Sequence, residues 1–325
     1  MNTQQQPKSV IVGHESERTP DMTSNNEQTI LLTGATGAVG GALLPKLLAG
    51  GHSVKALVRS PENADLGDQV EVIKGDVLSG QGLDEALKGV DVAYYLIHSM
   101  GRSPGDFEEN DRIGAQNFAD AAKRAGVRRI IYLGGLPPSG GGSAHLASRA
   151  EVAEILETAV PEPVHARAAM VIGADSASFT MLSQLVHRLP LMVGPKWIDT
   201  RTQPIAAEDV TSALARLATF ESPPTDVELG GAEIVSYREM MDRFARVEGR
   251  REPLIIPVPV LSPRLSSYWV RFVTSVEPAL ARPLIDGLKE EMIVRTPPPA
   301  GINDNPMDFD EAVERAMADG AGQPA

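Results

Sequence analysis

Short apolar runs alternate along this chain with stretches whose apolar positions recur at helical spacing. Gln28 to Thr33 is a run of leucine and β-branched residues ending in glycine, which predicts a buried parallel strand. Ala38 to Ala49 places Val39, Leu43, Leu44, Leu47 and Leu48 on one helical face and stops at Gly50-Gly51, a good helix terminator. Further strands are predicted over Ser53 to Val58, Val70 to Ile73, Val90 to Ile97, Arg129 to Leu133 and Val164 to Ile172. Helices are predicted over Leu83 to Lys88, Asp106 to Ala125 and Ala144 to Val160. Strands and helices alternating at this pitch imply βαβ units, hence an α/β, doubly wound, mostly parallel sheet with both faces covered.

The texture changes after Gly173. Amphipathic helices are predicted over Phe179 to Leu189 and Ala207 to Thr219, with a strand over Val227 to Leu229 beside the main sheet. Ser236 and Glu239 have the spacing of a capping box, so a helix should start there and reach Glu248. From Arg250 to Arg295 apolar helical stretches are punctuated by proline. Pro297-Pro298-Pro299 then marks the expected end of the folded part, although Asp308 to Ala318 still has a helical pattern. The expected organisation is a disordered tail over 1–27, a dinucleotide-binding domain over 28–173, a small, mostly helical substrate subdomain over 174–296, and a tail over 297–325.

Composition narrows the function. The chain of 325 residues has no cysteine, which excludes disulfides, thiolate metal sites and cysteine nucleophiles, and suits a cytoplasmic location. A formal net charge of −13 argues against a nucleic-acid partner or an anionic membrane surface. No stretch approaches the roughly 18 uninterrupted apolar residues of a membrane span. The polar N-terminus lacks the basic start and apolar run of a secretory signal. The expected partner is a small, apolar substrate, with a protein partner left open.

The candidate chemistry begins at Gly34-Ala35-Thr36-Gly37-Ala38-Val39-Gly40, between the first strand and the first helix. Such a turn needs a positive φ, and a pyrophosphate can approach only where no Cβ intrudes. The helix N-terminus behind it offers free N–H groups to phosphate. The motif in this context predicts a Rossmann-type fold binding a nicotinamide dinucleotide. An NAD site would place an acid at the end of the second strand, about 20 residues on. The chain instead reads Ala56-Leu57-Val58-Arg59-Ser60, so NADP(H) is expected in preference to NAD(H). Arg59 then either pairs with the 2′-phosphate or is a solvated surface cation. Asp76 and Val77, after the third strand, are placed to meet the adenine edge.

These residues resemble the short-chain dehydrogenase/reductase superfamily, in its atypical NAD(P)H-binding branch related to NmrA-like regulators, the 39-kDa subunit of complex I and YbjT-type oxidoreductases. Carrying the likeness are Thr33-Gly34-Ala35-Thr36-Gly37, Gly75-Asp76-Val77, Tyr94-Tyr95-Leu96-Ile97-His98-Ser99-Met100, Tyr132-Leu133-Gly134-Gly135-Leu136, Ser176-Ala177-Ser178-Phe179 and Gln203-Pro204-Ile205-Ala206. Leu261 to Ser267 adds weaker support. The resemblance implies a site built from a tyrosine, a lysine four residues later and a serine. Aligned by the loop after the fifth strand, tyrosine and lysine fall on His145 and Arg149, and the serine pair on Gly134-Gly135. Arg149 can hold ribose or phosphate but cannot shuttle protons. His145 either acts as general acid or contributes only packing. Leu96 and His98, at the end of the fourth strand, are expected beside the cofactor, with Ser99 following.

Other candidates are weaker in kind. His187, Arg188 and the stripe Met181, Leu182, Leu185, Val186 and Leu189 read as amphipathic packing or as the floor of a substrate pocket. Trp197, Tyr268, Trp269 and Phe272 lie where this superfamily builds specificity. The resemblance thus implies an NAD(P)H-dependent oxidoreductase acting on a small carbonyl or quinone-like compound. The altered catalytic positions leave open a non-catalytic sensor or accessory subunit.

Overall fold

The computed structural model describes residues 27–98, 107–137, 144–188, 191–194, 196–257 and 288–321. The elements that position the site are β1 (Thr29–Thr33), α1 (Ala38–Ala49), β2 (Ser53–Val58), β3 (Val70–Lys74), α2 (Leu83–Leu87), β4 (Val92–Tyr95), α3 (Phe107–Ala125), β5 (Arg129–Gly135), α4 (Ala144–Glu157) and β6 (Glu162–Ala168). Then come β7 (Val171–Ile172), α5 (Ala177–Arg188), β8 (Leu191–Gly194), β9 (Arg201–Thr202), β10 (Ile205–Ala206), α6 (Ala207–Thr219), β11 (Asp226–Leu229), β12 (Val235–Ser236), α7 (Tyr237–Val247), β13 (Leu254–Pro257) and α8 (Phe309–Ala321).

Seven strands form one parallel sheet in the order β3-β2-β1-β4-β5-β6-β11. The pleat sends neighbouring residues to opposite faces, and both faces are apolar, as the near-continuous hydrophobic runs require. Ile30, Leu32 and Tyr94 pack with Leu43 and Leu47 of α1 and Leu214 and Leu217 of α6. Leu31, Tyr95 and Tyr132 face the other way, onto Leu83 of α2, Phe118 of α3 and Val152 of α4. This Rossmann-type fold is the architecture that the alternation predicts.

Two expectations are corrected. Val164 to Ile172 is not one strand: β6 ends at Ala168, and β7 leaves the main sheet to pair with β10. The segment after Pro297-Pro298-Pro299 is not a tail. Ile302 is buried in the core that includes α1 and α6, its carbonyl accepting from Arg216 of α6 (3.0 Å), and Phe309, Ala312, Val313 and Ala316 of α8 pack in one core with Met240 and Phe244 of α7. The half-buried Arg243 of α7 bridges Glu233 (2.8 Å) and Asp310 (2.7 Å), fixing α8 to that helix. The expected N-terminal tail falls almost wholly on residues 1–26, outside the described residues. The capping box of Ser236 and Glu239 is present at the start of α7.

Candidate functional site

All strands of the main sheet run parallel, so their carboxyl ends share one edge. Strand order reverses between β1 and β4, which opens a crevice at that edge. Thr33, fully buried, closes the base of the crevice. Its hydroxyl donates to the Tyr94 carbonyl (2.8 Å) and accepts the Leu96 N–H (3.1 Å), locking the ends of β1 and β4 together.

The glycine turn stands on this base. Gly34 has φ +72°, and a methyl group there would sit 3.0 Å from the Leu96 carbonyl oxygen. A methyl on Gly40 would sit 2.1 Å from the Gly34 carbonyl oxygen, so α1 reaches the turn only because both positions are glycine. Gly37 caps α1 in an extended conformation, its own N–H bonded to the Gly34 carbonyl (2.9 Å). The first intrahelical bond runs from Gly41 to the Gly37 carbonyl (2.7 Å). The N–H groups of Ala38, Val39 and Gly40 are therefore left without an intrahelical acceptor. No side chain caps them, no acid stands in the first turn, and Thr36, Gly37 and Ala38 are exposed. A donor-lined concavity at the positive end of a helix, with Cβ atoms missing from its wall, fits the pyrophosphate of a dinucleotide.

The neighbouring strand ends bring the other predicted residues to the same edge. Arg59 follows β2 and is exposed. Past β3, a methyl on Gly75 would lie 2.5 Å from the Gln81 carbonyl oxygen, so the chain crosses itself there. Asp76 binds the Gln81 carbonyl through its N–H (3.0 Å) and accepts the Leu78 N–H on Oδ1 (2.8 Å). Val77 is buried behind it. Asn117 of α3 donates to the Val77 (2.8 Å) and Leu78 (3.0 Å) carbonyls, holding the Asp76-Val77 corner against the sheet. Leu96 and His98 follow β4 and are half-buried. Ser99 lies outside the described residues.

At β5 the structure gives Arg149 a definite place. Its guanidinium donates to the Leu133 carbonyl and lies over the Tyr132 ring, 5.2 Å from the centroid. The Tyr132 hydroxyl points back to the Arg149 carbonyl (3.4 Å). Burial pushes the Tyr132 and Tyr95 hydroxyls up from their ordinary range, and the nearby Asp111 adds to this while Arg149 opposes it. Neither phenol is a ready proton donor near neutrality. His145 is the second residue of α4, and its side chain lies outside what the structure describes, as do Tyr268, Trp269, Phe272 and residues 261–267.

The remaining candidates are not brought to this edge by any contact described. His187 contacts Ser183 (3.1 Å), Glu248 (2.6 Å) and the Phe244 ring (5.9 Å). Met181, Leu182, Leu185 and Val186 are buried in the C-terminal core, and Trp197 packs edge-on against Tyr237. Thr33 and Asn117 escaped the sequence reading as site-shaping residues. For Asn117 there was a signal: an amide side chain inside a helix competes with the backbone and needs a reason to be there.

An open parallel sheet with a phosphate cradle at its switch point defines a dinucleotide-binding α/β protein. A family of NAD(P)H-binding domains matches residues 34–183. Ceramide reductase of Caulobacter vibrioides is 30% identical over 251 residues, covering 72% of this chain and 75% of that protein. Two solved structures share the fold: triphenylmethane reductase of Citrobacter sp. complexed with NADP(H), and the NADPH-dependent quinone oxidoreductase QOR2 of Escherichia coli complexed with NADPH. The first has TM-score 0.70, 20% identity and coverage of 88% of this chain and 99% of the other. The second has TM-score 0.67, 19% identity and coverage of 89% and 99%. This chain belongs to the NAD(P)H-binding, atypical short-chain dehydrogenase/reductase family of oxidoreductases. Among the described residues no helix is long and apolar enough to cross a membrane.

Proposed function

We propose that this protein is an NADPH-dependent reductase of a small apolar carbonyl or quinone-like compound. The observation that carries the reading is the open donor cradle at the head of α1, with Arg59 and not an acid at the end of β2. A relative matched over three quarters of its own length is a ceramide reductase, and two structural neighbours are a triphenylmethane reductase and an NADPH-dependent quinone oxidoreductase. Ala38, Val39 and Gly40 would hold the pyrophosphate by their N–H groups. Arg59 would pair with the 2′-phosphate, and Asp76 and Val77 would meet the adenine. Leu96 and His98 would wall the nicotinamide side. When bound, the cofactor supplies a hydride to the acceptor carbon or quinone ring.

The chain's own part is to bind, orient and exclude water, since the acid–base residues of the superfamily are replaced. A reduced carbonyl oxygen must still gain a proton. His145, one turn before Arg149 on α4, is our candidate for that donor. A quinone needs less help, because a hydroquinone anion is stable enough to take its proton from water. That favours quinone-like acceptors for a site with glycines at 134 and 135. NADPH oxidation followed by absorbance across quinones, aromatic aldehydes, long-chain ketones and triphenylmethane dyes tests this. Turnover with at least one class is expected. Tight NADPH binding with no oxidation by any acceptor would make the protein a cofactor sensor instead.

A further inference from the structure

We infer that Arg149 is a positioning residue, which acts on the reaction through the backbone of β5 and touches neither cofactor nor substrate. The inference rests on the reductase reading for its relevance to catalysis. Its structural content stands on the clasp between α4 and β5. The guanidinium donates to the carbonyl of Leu133 and covers the ring of Tyr132, while the Tyr132 hydroxyl reaches back to the carbonyl of Arg149. Each element holds the other by a side chain over a backbone group.

The reason for such a clasp lies in the next two residues. Gly134-Gly135 ends β5 at the edge where the nicotinamide half of a dinucleotide lies in this fold. Two successive glycines have more backbone freedom to lose than any other pair, so the ladder that pairs Gly134 and Gly135 with Arg167 and Ala168 of β6 works against a large entropy there, and a second tie from α4 adds to it. Side chains there would need their neighbours to shift by a few tenths of an ångström. A methyl on Gly134 would lie 3.2 Å from the Tyr132 ring and one on Gly135 3.3 Å from Leu146 Cδ2, both tighter than ordinary contact. The Tyr132 ring and Leu146 thus take the space beside the two glycines, and Arg149, lying over that ring, ties the strand one residue before them.

The chemistry of the group agrees. A guanidinium stays charged and has donors only, so it cannot pass a proton. Its engaged NH2 group already serves a carbonyl, and its Nε is buried without a hydrogen-bond partner. A lysine at this position would be a single point charge on a flexible stem, whereas the planar fork both stacks on a ring and donates in the plane of a peptide.

The test compares Arg149→Met, Arg149→Lys and Tyr132→Phe in the full-length protein, with and without NADPH. Three quantities are read: NADPH affinity, the rate and pH profile of single-turnover hydride transfer to the best quinone, and amide hydrogen exchange. Arg149→Met should leave NADPH affinity within about twofold, slow hydride transfer about tenfold or more with its pH profile unmoved, and speed exchange at residues 133–136 about tenfold while 37–41 stay unchanged. Arg149→Lys should recover part of both losses, and Tyr132→Phe, which keeps the ring, should change little. A tenfold loss of NADPH affinity in Arg149→Met would show direct contact with the cofactor. An altered pH profile would show an acid–base part, and unchanged exchange at 133–136 would show no clasp. Any of these overturns the inference. If the wild type turns over no acceptor, the reductase reading fails by itself, and the exchange data still decide whether Arg149 fixes the strand end. If Arg149→Met does not fold, Arg149→Lys carries the comparison: exchange at 133–136 and hydride transfer should both suffer, less than the losses expected of Met, and wild-type values for both would overturn the inference.

Discussion

Two strand-to-helix junctions meet at the same sheet edge and are made in opposite ways. At β1–α1 the backbone does the work: glycines remove Cβ atoms, a positive φ turns the chain, and peptide N–H groups face outward. At β5–α4 side chains do it: Arg149 and Tyr132 clasp a strand end whose own residues have no side chains. Gly34 and Gly40 of the backbone-made junction tolerate almost no substitution, because a Cβ on either would meet backbone at 3.0 or 2.1 Å. A junction made of side chains can be rewired, and the resemblance implies such a change here, with arginine and two glycines where lysine and serines would be expected. On the proposed reading, binding rests on the junction least free to vary and the chemistry on the one open to change.

Gly40→Val should break the first junction outright. Its side chain would collide with the Gly34 carbonyl, 2.1 Å from the added carbon, so NADPH binding should vanish with a loss of about 3 kcal/mol of stability. Denaturant unfolding and a fluorescence titration check both, and retained binding would contradict the packing described. Arg59→Ala should act on one ligand only. NADPH should weaken about tenfold or more, the worth of one charge-assisted hydrogen bond, with NADH changed less than about twofold. Equal losses would remove the preference for NADP. Thr33→Val keeps shape but strips the bond to the Tyr94 carbonyl and the acceptor of the Leu96 N–H, at a cost of about 1–3 kcal/mol. That cost should show in unfolding midpoints, and an unchanged midpoint would mean the strand ends do not depend on it.

The smallest expected effect falls on the side-chain-built side. His165 of β6, edge-on to Tyr132 at 6.4 Å, is buried, and burial lowers its pKa from the ordinary value, with Arg167 adding to this and Asp226 and Glu157 opposing it. The unfolded chain therefore takes up a proton below about pH 6.5 that the folded state resists. Stability associated with His165 is full above that pH and falls as pH drops toward the lowered folded value. The midpoint of His165→Gln should lose about a degree or two less than wild type between pH 7 and 5. Parallel loss in both would clear His165 of any part.

How legible each region was follows from the same contrast. The β1–α1 turn could be read because its geometry admits only glycine, and its helix began and ended where the pattern said. The capping box of α7 was equally local. What could not be read depended on partners far along the chain. Val164 to Ile172 has no breaker at Ala169-Met170; it divides because Ile205 and Ala206 draw β7 away from the main sheet. Residues after Pro299 looked like a tail because three prolines are a local signal. The burial of Ile302 and Val313 depends on surfaces of α6 and α7 that no window shows. Spacing placed Arg149 beside β5 but not the direction of its side chain, since an arginine can reach a ribose or a peptide carbonyl with equal ease. Tyr132, quoted only as part of a string that carries the family likeness, lies under the guanidinium and helps to direct it to the Leu133 carbonyl.

The central claim is that the head of α1 holds the dinucleotide, and Gly37→Asp tests it most directly. Gly37 caps the helix with φ −89° and ψ 168°, which aspartate adopts without strain, and aspartate is a preferred cap. A methyl there meets only the Gly34 carbonyl oxygen, at 3.3 Å. The carboxylate would bond the first-turn N–H groups and bring negative charge to where the pyrophosphate sits. Measured together by calorimetric titration and thermal unfolding, the variant should keep or raise the unfolding midpoint while losing NADPH affinity by about a hundredfold or more. Undiminished NADPH affinity in a folded Gly37→Asp protein would place the dinucleotide elsewhere and contradict the account.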